Sequence, residues 1–323
     1  MTVIRWGILG ASNFASSTMG PAIHAARGAE LSAVATRNPA KAAIFDFCPG
    51  LRVHDSYEAL LADPEIDAVY IPLPHTLHVP WAVQALQAGK PVLVEKPLAL
   101  SADAIAPLIE AQARTGLLAA EAYMIAHHPQ WHRLRTLLSE GVIGEIIQID
   151  GLFTYDNRAD PENIRNRPET GGGALPDIGV YPIGAARFAM EAELTITNAK
   201  IAWENGVDAT AQVQAEIRSA VLHVLVSMRM SKRQQMTFHG TEGEIYMPAP
   251  FNPGSFAEAQ LHISGADGIR RIERFPGVDH YILQVEAFGD SVRDGAAYTW
   301  SLANARGTQV ALDAVYAAAN LPG

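Results

Sequence analysis

The feature that most constrains this chain is its opening. The apolar run Val3-Ile4-Arg5-Trp6-Gly7-Ile8-Leu9 leads straight into the small-residue turn Gly10-Ala11-Ser12-Asn13-Phe14-Ala15. Such a run suits a strand buried on both faces and is too short to cross a bilayer. It lacks the cationic start and cleavage site of a secretory signal, so the chain is expected in the cytoplasm. The turn approximates G-x-G-x-x-G/A: Gly10 suits the tight bend, and Ala15 permits close helix–strand packing. Ser12 stands at the middle glycine position, small enough for backbone approach and with a hydroxyl that can donate to phosphate. A pyrophosphate would sit on the following helix N-terminus, where unpaired N–H groups and the helix dipole favour an anion. An ordinary strand-to-helix turn is the competing reading.

The first third continues as alternating segments. Strands are predicted over 3–9, 31–36, 68–71, 92–95 and 117–120, all short and apolar. Helices are predicted from Tyr57 to Ala62 behind a Ser56 cap, through Trp81 and Leu86 to a stop at Gly89 behind a Thr76 cap, and from Ala102 to Thr115 behind a Ser101 cap. This βαβα rhythm predicts a doubly wound parallel sheet. It ends near Glu121. Beyond it, 146–154, 212–217, 221–230, 235–239 and 244–247 read as strands of a largely antiparallel sheet with one wet face. Helices are expected over 281–293 and 302–319. A length of 323 residues suits two domains, placed at 1–122 and 123–323. The net charge of −10 argues against nucleic acid as a partner, and the single Cys48 excludes an intrachain disulfide.

The end of the second predicted strand, Ala35-Thr36-Arg37-Asn38, carries no acid to accept from the 2′-hydroxyl of NAD. Arg37, with Lys41 one turn on, can pair with a 2′-phosphate, so NADP is expected, with NAD as the alternative. Lys96, in Glu95-Lys96-Pro97, falls just past the carboxyl end of a buried strand, where open α/β sheets bind ligands. Asp177 and Tyr181 follow the run Gly171-Gly172-Gly173 and share a face if a helix starts near Asp177. A capping Asp and a core Tyr would account for the same pair. His128 and His132 have metal-like spacing, but no coherent ligand set surrounds them, so no metal is expected. His75 and His78 flank a helix start at the sheet's carboxyl edge. Arg165 and Arg167 lie in a polar loop.

The motifs together resemble the Gfo/Idh/MocA oxidoreductases over nearly the whole chain. They are Gly7-Ile8-Leu9-Gly10, Pro74-His75-Thr76-Leu77-His78, Ala88-Gly89-Lys90-Pro91-Val92, Glu95-Lys96-Pro97, Gly172-Gly173-Ala174 with Asp177-Ile178-Gly179-Val180-Tyr181, and Gly240-Thr241-Glu242-Gly243. Glu121-Ala122-Tyr123-Met124, His127-His128-Pro129-Gln130 and Asn163-Ile164-Arg165 resemble the branch of NADP-dependent aldose dehydrogenases and dimeric dihydrodiol dehydrogenases. Ser12 is similar to the anhydrofructose reductases, which carry His where this chain has Tyr181.

The resemblance implies an α/β fold: an N-terminal Rossmann-type doubly wound parallel sheet, then a C-terminal α+β domain with a large, mostly antiparallel open sheet. It implies nicotinamide-linked oxidation of an aldose such as D-xylose or glucose at C1. Reduction of a carbonyl, anhydrosugar or dihydrodiol-type substrate is the alternative, and a non-catalytic cofactor-binding regulator is the alternative of another class. Catalysis would fall to Lys96, Tyr181 and Asp177, with the Lys96 ammonium favouring the Tyr181 phenolate. The cofactor would touch Gly10, Ala11, Ser12, Asn13, Phe14, Thr36, Arg37, Lys41, Pro72, Pro74, His75, His78, Glu95 and Lys96. A sugar-like substrate would meet Lys96, Tyr123, Asn163, Arg165, Asp177 and Tyr181. A homodimer or homotetramer through the second-domain sheet is expected, without membrane association.

Overall fold

The alternating segments of the first third form a six-stranded sheet. Its strands are β1 (Ile4–Leu9), β2 (Ala29–Ala35), β3 (Arg52–His54), β4 (Ala68–Ile71), β5 (Val92–Val94) and β6 (Ala119–Glu121), in the order β3-β2-β1-β4-β5-β6. Every pairing is parallel. This order is that of a doubly wound sheet, whose binding crevice lies outside the strands' carboxyl ends where the winding reverses beside β1. The computed structural model describes residues 2–319. The short edge strand β3 has no counterpart among the predicted strands because Arg52 and Val53 are exposed and leave no apolar run.

Helices α1 (Gly20–Ala25), α2 (Tyr57–Ala62), α3 (His78–Gln87) and α4 (Ala106–Thr115) link these strands. Ser56 caps α2 as expected, its Oγ accepting from the Ala59 N–H at 3.1 Å. Ser101 Oγ accepts from the Ala104 N–H at 3.3 Å, ahead of a 3₁₀ turn that leads into α4. Thr76 is not a cap. It lies inside a 3₁₀ turn, His75–Leu77, in which the Leu77 N–H donates to the Pro74 carbonyl at 2.8 Å, and α3 starts without a side-chain cap.

The second sheet has eight strands: β7 (Ile146–Asp156), β8 (Thr195–Glu204), β9 (Val207–Ile217), β10 (Ala220–Ser227), β11 (Arg229–Gly240), β12 (Gly243–Met247), β13 (Gln260–Gly265) and β14 (Arg270–Arg274). They run in the order β14-β13-β12-β11-β7-β10-β9-β8, antiparallel throughout except for the parallel pair β7 and β10. In β9, Ala211, Val213, Ala215 and Ile217 are buried while Gln212, Gln214 and Glu216 are exposed, so one face is wet. The predicted strand over 221–230 is two strands. The chain leaves β10 on one side of β7 and re-enters as β11 on the other, and the alternation Ser227-Met228-Arg229-Met230, which reads as continuing strand, does not mark that crossing.

Helices α5 (Pro129–Ser139), α6 (Val180–Met190), α7 (His280–Asp294) and α8 (Leu302–Ala319) complete the fold. Helix α6 covers the dry face of the sheet: a Cβ on Gly151 of β7 would lie 2.7 Å from Pro182 and 2.9 Å from the Met236 sulfur. Among the described residues no helix is long and apolar enough to cross a membrane.

The chain divides into two compact units that are not consecutive stretches. One is Met1–His127 with Asp279–Ala305; the other is His128–Val278 with Arg306–Gly323. The single boundary after residue 122 read from the sequence therefore misses a return. Helix α7 places Val285 and Phe288 in the core built by Trp6, Ile23 and Leu31, with the Trp6 and Phe288 ring centroids 5.0 Å apart. An amphipathic helix announces that it has a core to cover but not which core.

Candidate active site

The first site element is the turn after β1. Gly10 donates its N–H to the Ala35 carbonyl at 2.9 Å and adopts φ +104°, where L side chains rarely go. A Cβ there would also lie 2.9 Å from Leu73. Ser12 braces the start of the next helix: its Oγ accepts from the Ala15 N–H at 3.1 Å and its carbonyl from the Ser16 N–H at 3.1 Å. The hydroxyl accepts through a lone pair, so its hydrogen can still turn to an anion. Ala11, Ser12 and Phe14 are half-buried and Asn13 is exposed. The helix entered here passes through a π-helical stretch, Ala15–Met19, into α1.

At the end of β2, Thr36 is buried and its hydroxyl bonds the Asn38 backbone, whereas Arg37 and Lys41 are exposed. Tyr57 belongs here too, though nothing in its sequence setting singles it out. Its hydroxyl lies 3.7 Å from the position of a Gly10 Cβ, and its ring meets Trp81 edge-on at 4.9 Å. Burial raises the Tyr57 phenol above its ordinary value, against a lowering by the Arg37 charge. A capped helix start signals a helix, but not that its first residue faces the neighbouring strand end.

Lys96 is placed where expected, beyond the end of β5, and its peptide bond to Pro97 is cis. Glu95 is tied down on both oxygens, accepting from the Tyr70 hydroxyl at 2.6 Å and from the Lys96 N–H at 3.2 Å. Pro72, Pro74 and His75 are half-buried at the same edge. His78, a candidate to face the cofactor or simply to fill polar contacts, makes polar contacts to the backbone. It is fully buried, with Nδ1 2.8 Å from the Pro97 carbonyl and Nε2 2.7 Å from the Leu73 carbonyl. Burial, reinforced by the Lys96 charge, pushes its pKa down to about 4 against the pull of the two carbonyls. Its role is to join two loops of the sheet edge. Tyr123, a candidate substrate contact, is fully buried and stacks on Trp300 with centroids 4.3 Å apart.

The second unit carries the other candidates. Asp177 sits in a π-helical stretch, Leu175–Gly179, that runs directly into α6, which bears Tyr181. The glycines before it are required. Gly173 has φ +139°, and a side chain there would run into the Asp208 carboxylate. Asp208 Oδ2 accepts from the Leu175 N–H at 2.6 Å, and Oδ1 accepts from the Tyr316 hydroxyl at 2.9 Å. Asp177 is buried and engaged on both oxygens. Arg165 Nε donates to Oδ1 at 2.8 Å, and the Tyr155 hydroxyl donates to Oδ2 at 2.6 Å. The Asp177 charge raises Arg165 above its ordinary value, and Tyr181 contributes in the same direction. For Tyr155, burial is the larger cause of a raised value and Asp177 the next.

Tyr181 is nearly buried, its ring stacked on Phe251 at 5.5 Å and beside Phe153 at 5.6 Å. Asn163 is spent locally: its Oδ1 accepts from the Arg165 N–H at 3.1 Å and its Nδ2 donates to Asp160 at 3.0 Å. It therefore shapes the loop that aims Arg165 and is not a free substrate contact. Arg167 pairs with Glu169 at the surface. His128 caps α5 through Nδ1, and His132 packs edge-on to Phe188 at 6.1 Å. Sequence inspection could not have found Tyr155 or Asp208, because each reaches the site across the sheet and not along the chain.

A doubly wound sheet with a tight small-residue turn after β1 and a lysine past β5 is the frame of a nicotinamide-linked oxidoreductase class. Residues 4–123 match the GFO_IDH_MocA model, described as an oxidoreductase family with an NAD-binding Rossmann fold, and residues 131–246 match the GFO/IDH/MocA C-terminal domain. The chain belongs to this family. Among its relatives, the dTDP-3,4-didehydro-2,6-dideoxy-alpha-D-glucose 3-reductase of Saccharopolyspora spinosa is 36% identical, covering 90% of this chain and 88% of its own. The D-xylose 1-dehydrogenase (NADP(+)) 2 of Haloferax volcanii is 32% identical, covering 98% and 97%. The crystal structure of KijD10, a 3-ketoreductase from Actinomadura kijaniata in complex with NADP and TDP-benzene, superposes with a TM-score of 0.91 at 32% identity over 98% of each chain.

Proposed function

We propose that this protein is an NADP-dependent sugar oxidoreductase that oxidises an aldose, such as D-xylose or glucose, at C1 to the lactone. One observation carries the cofactor choice. The carboxyl end of β2 presents Arg37 and Lys41 to solvent and has no carboxylate from Ala35 to Lys41, beside a turn whose Gly10 and Ser12 suit a pyrophosphate. The NADP-dependent xylose dehydrogenase, similar over almost all of this chain, supports the same reading. NADP, when bound, supplies the hydride acceptor or donor.

The chain's own residues bind, orient and move a proton. Tyr181 is the proposed acid–base. An unperturbed phenol titrates near about 10, so it needs positive charge nearby to serve at neutral pH. Arg165, anchored by Asp177, supplies such charge within its own unit, and Lys96 is proposed to bear the charge at the reacting oxygen. Asp177 is thereby the anchor of Arg165 as well as a candidate substrate contact. Self-association through the wet face of the eight-stranded sheet and a cytoplasmic location complete the proposal.

A second reading, reduction of a keto group on a nucleotide-linked deoxysugar, is favoured by the 36% identity to the dTDP-sugar 3-reductase and by the likeness to KijD10. The deciding experiment monitors nicotinamide absorbance with NADP and aldoses, and with NADPH and 3-keto nucleotide sugars. Aldose-dependent reduction of NADP supports the first reading, and NADPH consumption with the keto sugar alone replaces it with the second. Arg37→Ala should weaken NADP far more than NAD; equal losses would mean that Arg37 does not read the 2′-phosphate.

A further inference from the structure

We propose that the Tyr57 hydroxyl, set over Gly10 at the carboxyl edge of the six-stranded sheet, hydrogen-bonds the 3′-hydroxyl of the cofactor's adenosine ribose, in place of the acid that the end of β2 lacks. In sheets of this kind an acid at that strand end accepts from the ribose of NAD. Here Ala35 to Lys41 holds no carboxylate. On NADP the 2′-position carries a phosphate, which a carboxylate would repel. The 3′-hydroxyl stays free on NAD and NADP alike and still needs a partner as it leaves water.

The register of the sheet brings Tyr57 to this place. Ala35 of β2 pairs with His54 of β3, and the Thr36 N–H donates to the His54 carbonyl at 3.0 Å. The Gly10 N–H donates to the Ala35 carbonyl at 2.9 Å, so the ends of β1, β2 and β3 are tied side by side. Tyr57 opens α2 three residues past β3, where Ser56 fixes the helix start by accepting from the Ala59 N–H. From the β3 side its hydroxyl reaches back to the end of β1, 3.7 Å from the position of a Gly10 Cβ. Since Gly10 has none, that space is open to a ligand passing from the end of β2 to the helix behind Ser12.

The ring is held and the hydroxyl is not. Trp81 of α3 meets the ring edge-on, with centroids 4.9 Å apart and planes at 89°. Tyr57 is half-buried, yet among the described residues none hydrogen-bonds its hydroxyl. Burial holds the phenol above its ordinary value against the Arg37 charge. It therefore stays neutral, able both to donate and to accept, and does not repel a neighbouring 2′-phosphate. A fixed ring with an unspent hydroxyl over a bare glycine is a preorganised contact for a ribose.

The inference rests on the reading of the Gly10 and Ser12 turn as the cofactor site, so its test carries a control for that turn. Calorimetric titration compares NADP with 3′-deoxy-NADP, which lacks only the partner hydroxyl. The wild-type protein should bind 3′-deoxy-NADP about 3–10-fold more weakly than NADP, the effect of one neutral hydrogen bond. Tyr57→Phe, which keeps the ring and its Trp81 contact, should weaken NADP by a similar factor and leave 3′-deoxy-NADP unchanged. Ser12→Glu, which puts bulk and negative charge into the turn, should abolish the binding of both.

Equal affinity of the wild-type protein for the two nucleotides overturns the proposal, even if no variant folds. So does a Tyr57→Phe protein that still prefers NADP over 3′-deoxy-NADP, because another group then holds the 3′-hydroxyl. So does one that loses both nucleotides equally, because the hydroxyl then acts on the fold and not on the ribose. If Ser12→Glu binds NADP as the wild type does, the turn is not the cofactor site and that reading falls together with the role of Tyr57. If Ser12→Glu abolishes binding while the wild type ignores the 3′-hydroxyl, the turn stands and only the role of Tyr57 falls.

Discussion

Tyr181 sits on a ring that Phe251 and Phe153 hold from two sides, which separates its packing from its chemistry. Tyr181→Phe keeps the ring and deletes the hydroxyl. Turnover should fall by about 10²–10⁴-fold if the phenol is the acid–base, with cofactor binding and melting temperature held near the wild type. A near-normal kcat would make Tyr181 a packing residue. At single residues the sequence is least informative about partners. Asp177 and Tyr181 can be picked out by their spacing and Arg165 by its motif, but the bonding of Arg165 and Tyr155 to Asp177 cannot, because strand β7 and the loop after it bring them in. His78 shows the converse: a histidine at a sheet edge reads as a site residue, yet both its nitrogens turn inward to backbone carbonyls.

At the scale of elements, two helices enter through π-helical stretches, Ala15–Met19 behind the turn at Gly10 and Ser12 and Leu175–Gly179 around Asp177. Such stretches are rare and concentrate at functional sites. The second is held at its start by Asp208. Burial pushes the Asp208 carboxyl up to about 6, against the bonds from Leu175 and Tyr316. Its unfolded value is about 3.9, so the folded chain binds this proton more tightly, and the group penalises the fold in full above about pH 6. The penalty is released as the pH falls through 6 toward 4. Asp208→Asn cannot titrate. Denaturant unfolding should therefore show wild-type stability, relative to Asp208→Asn, rising by about 2 kcal/mol from about pH 7.5 to about pH 4.5. A difference independent of pH would refute the assignment. The cap at Ser56 is legible because a cap is a contact over three residues, whereas the break between β10 and β11 is not, because it is set by strand order.

The whole molecule presents a sheet whose wet face is lined by Asp150, Lys200, Gln212, Gln214, His223 and Gln235. An acid, two basic residues and three amides on one open surface are what a two-fold, self-complementary contact can use. Sedimentation velocity at micromolar concentration should give at least twice the chain mass, and Gln214→Glu with His223→Glu should lower it by like-charge repulsion. A monomer in the wild-type protein ends this expectation.

By itself the sequence determined the doubly wound start, the tight small-residue turn at Gly10 and Ser12, the place of Lys96 past β5, and the two-sheet plan, because each rests on contacts or periodicities spanning a few residues. Only the tertiary structure decided that Asp279–Ala305 returns to the first unit, that Trp300 meets Glu121 across 179 positions, and that Asp208 reaches Leu175 across 33. A hydrophobic pattern states which face must be buried, but strand order and packing choose what buries it. Those choices select which buried carboxylates take the N–H groups of Leu98, after Lys96, and of Leu175, before Asp177.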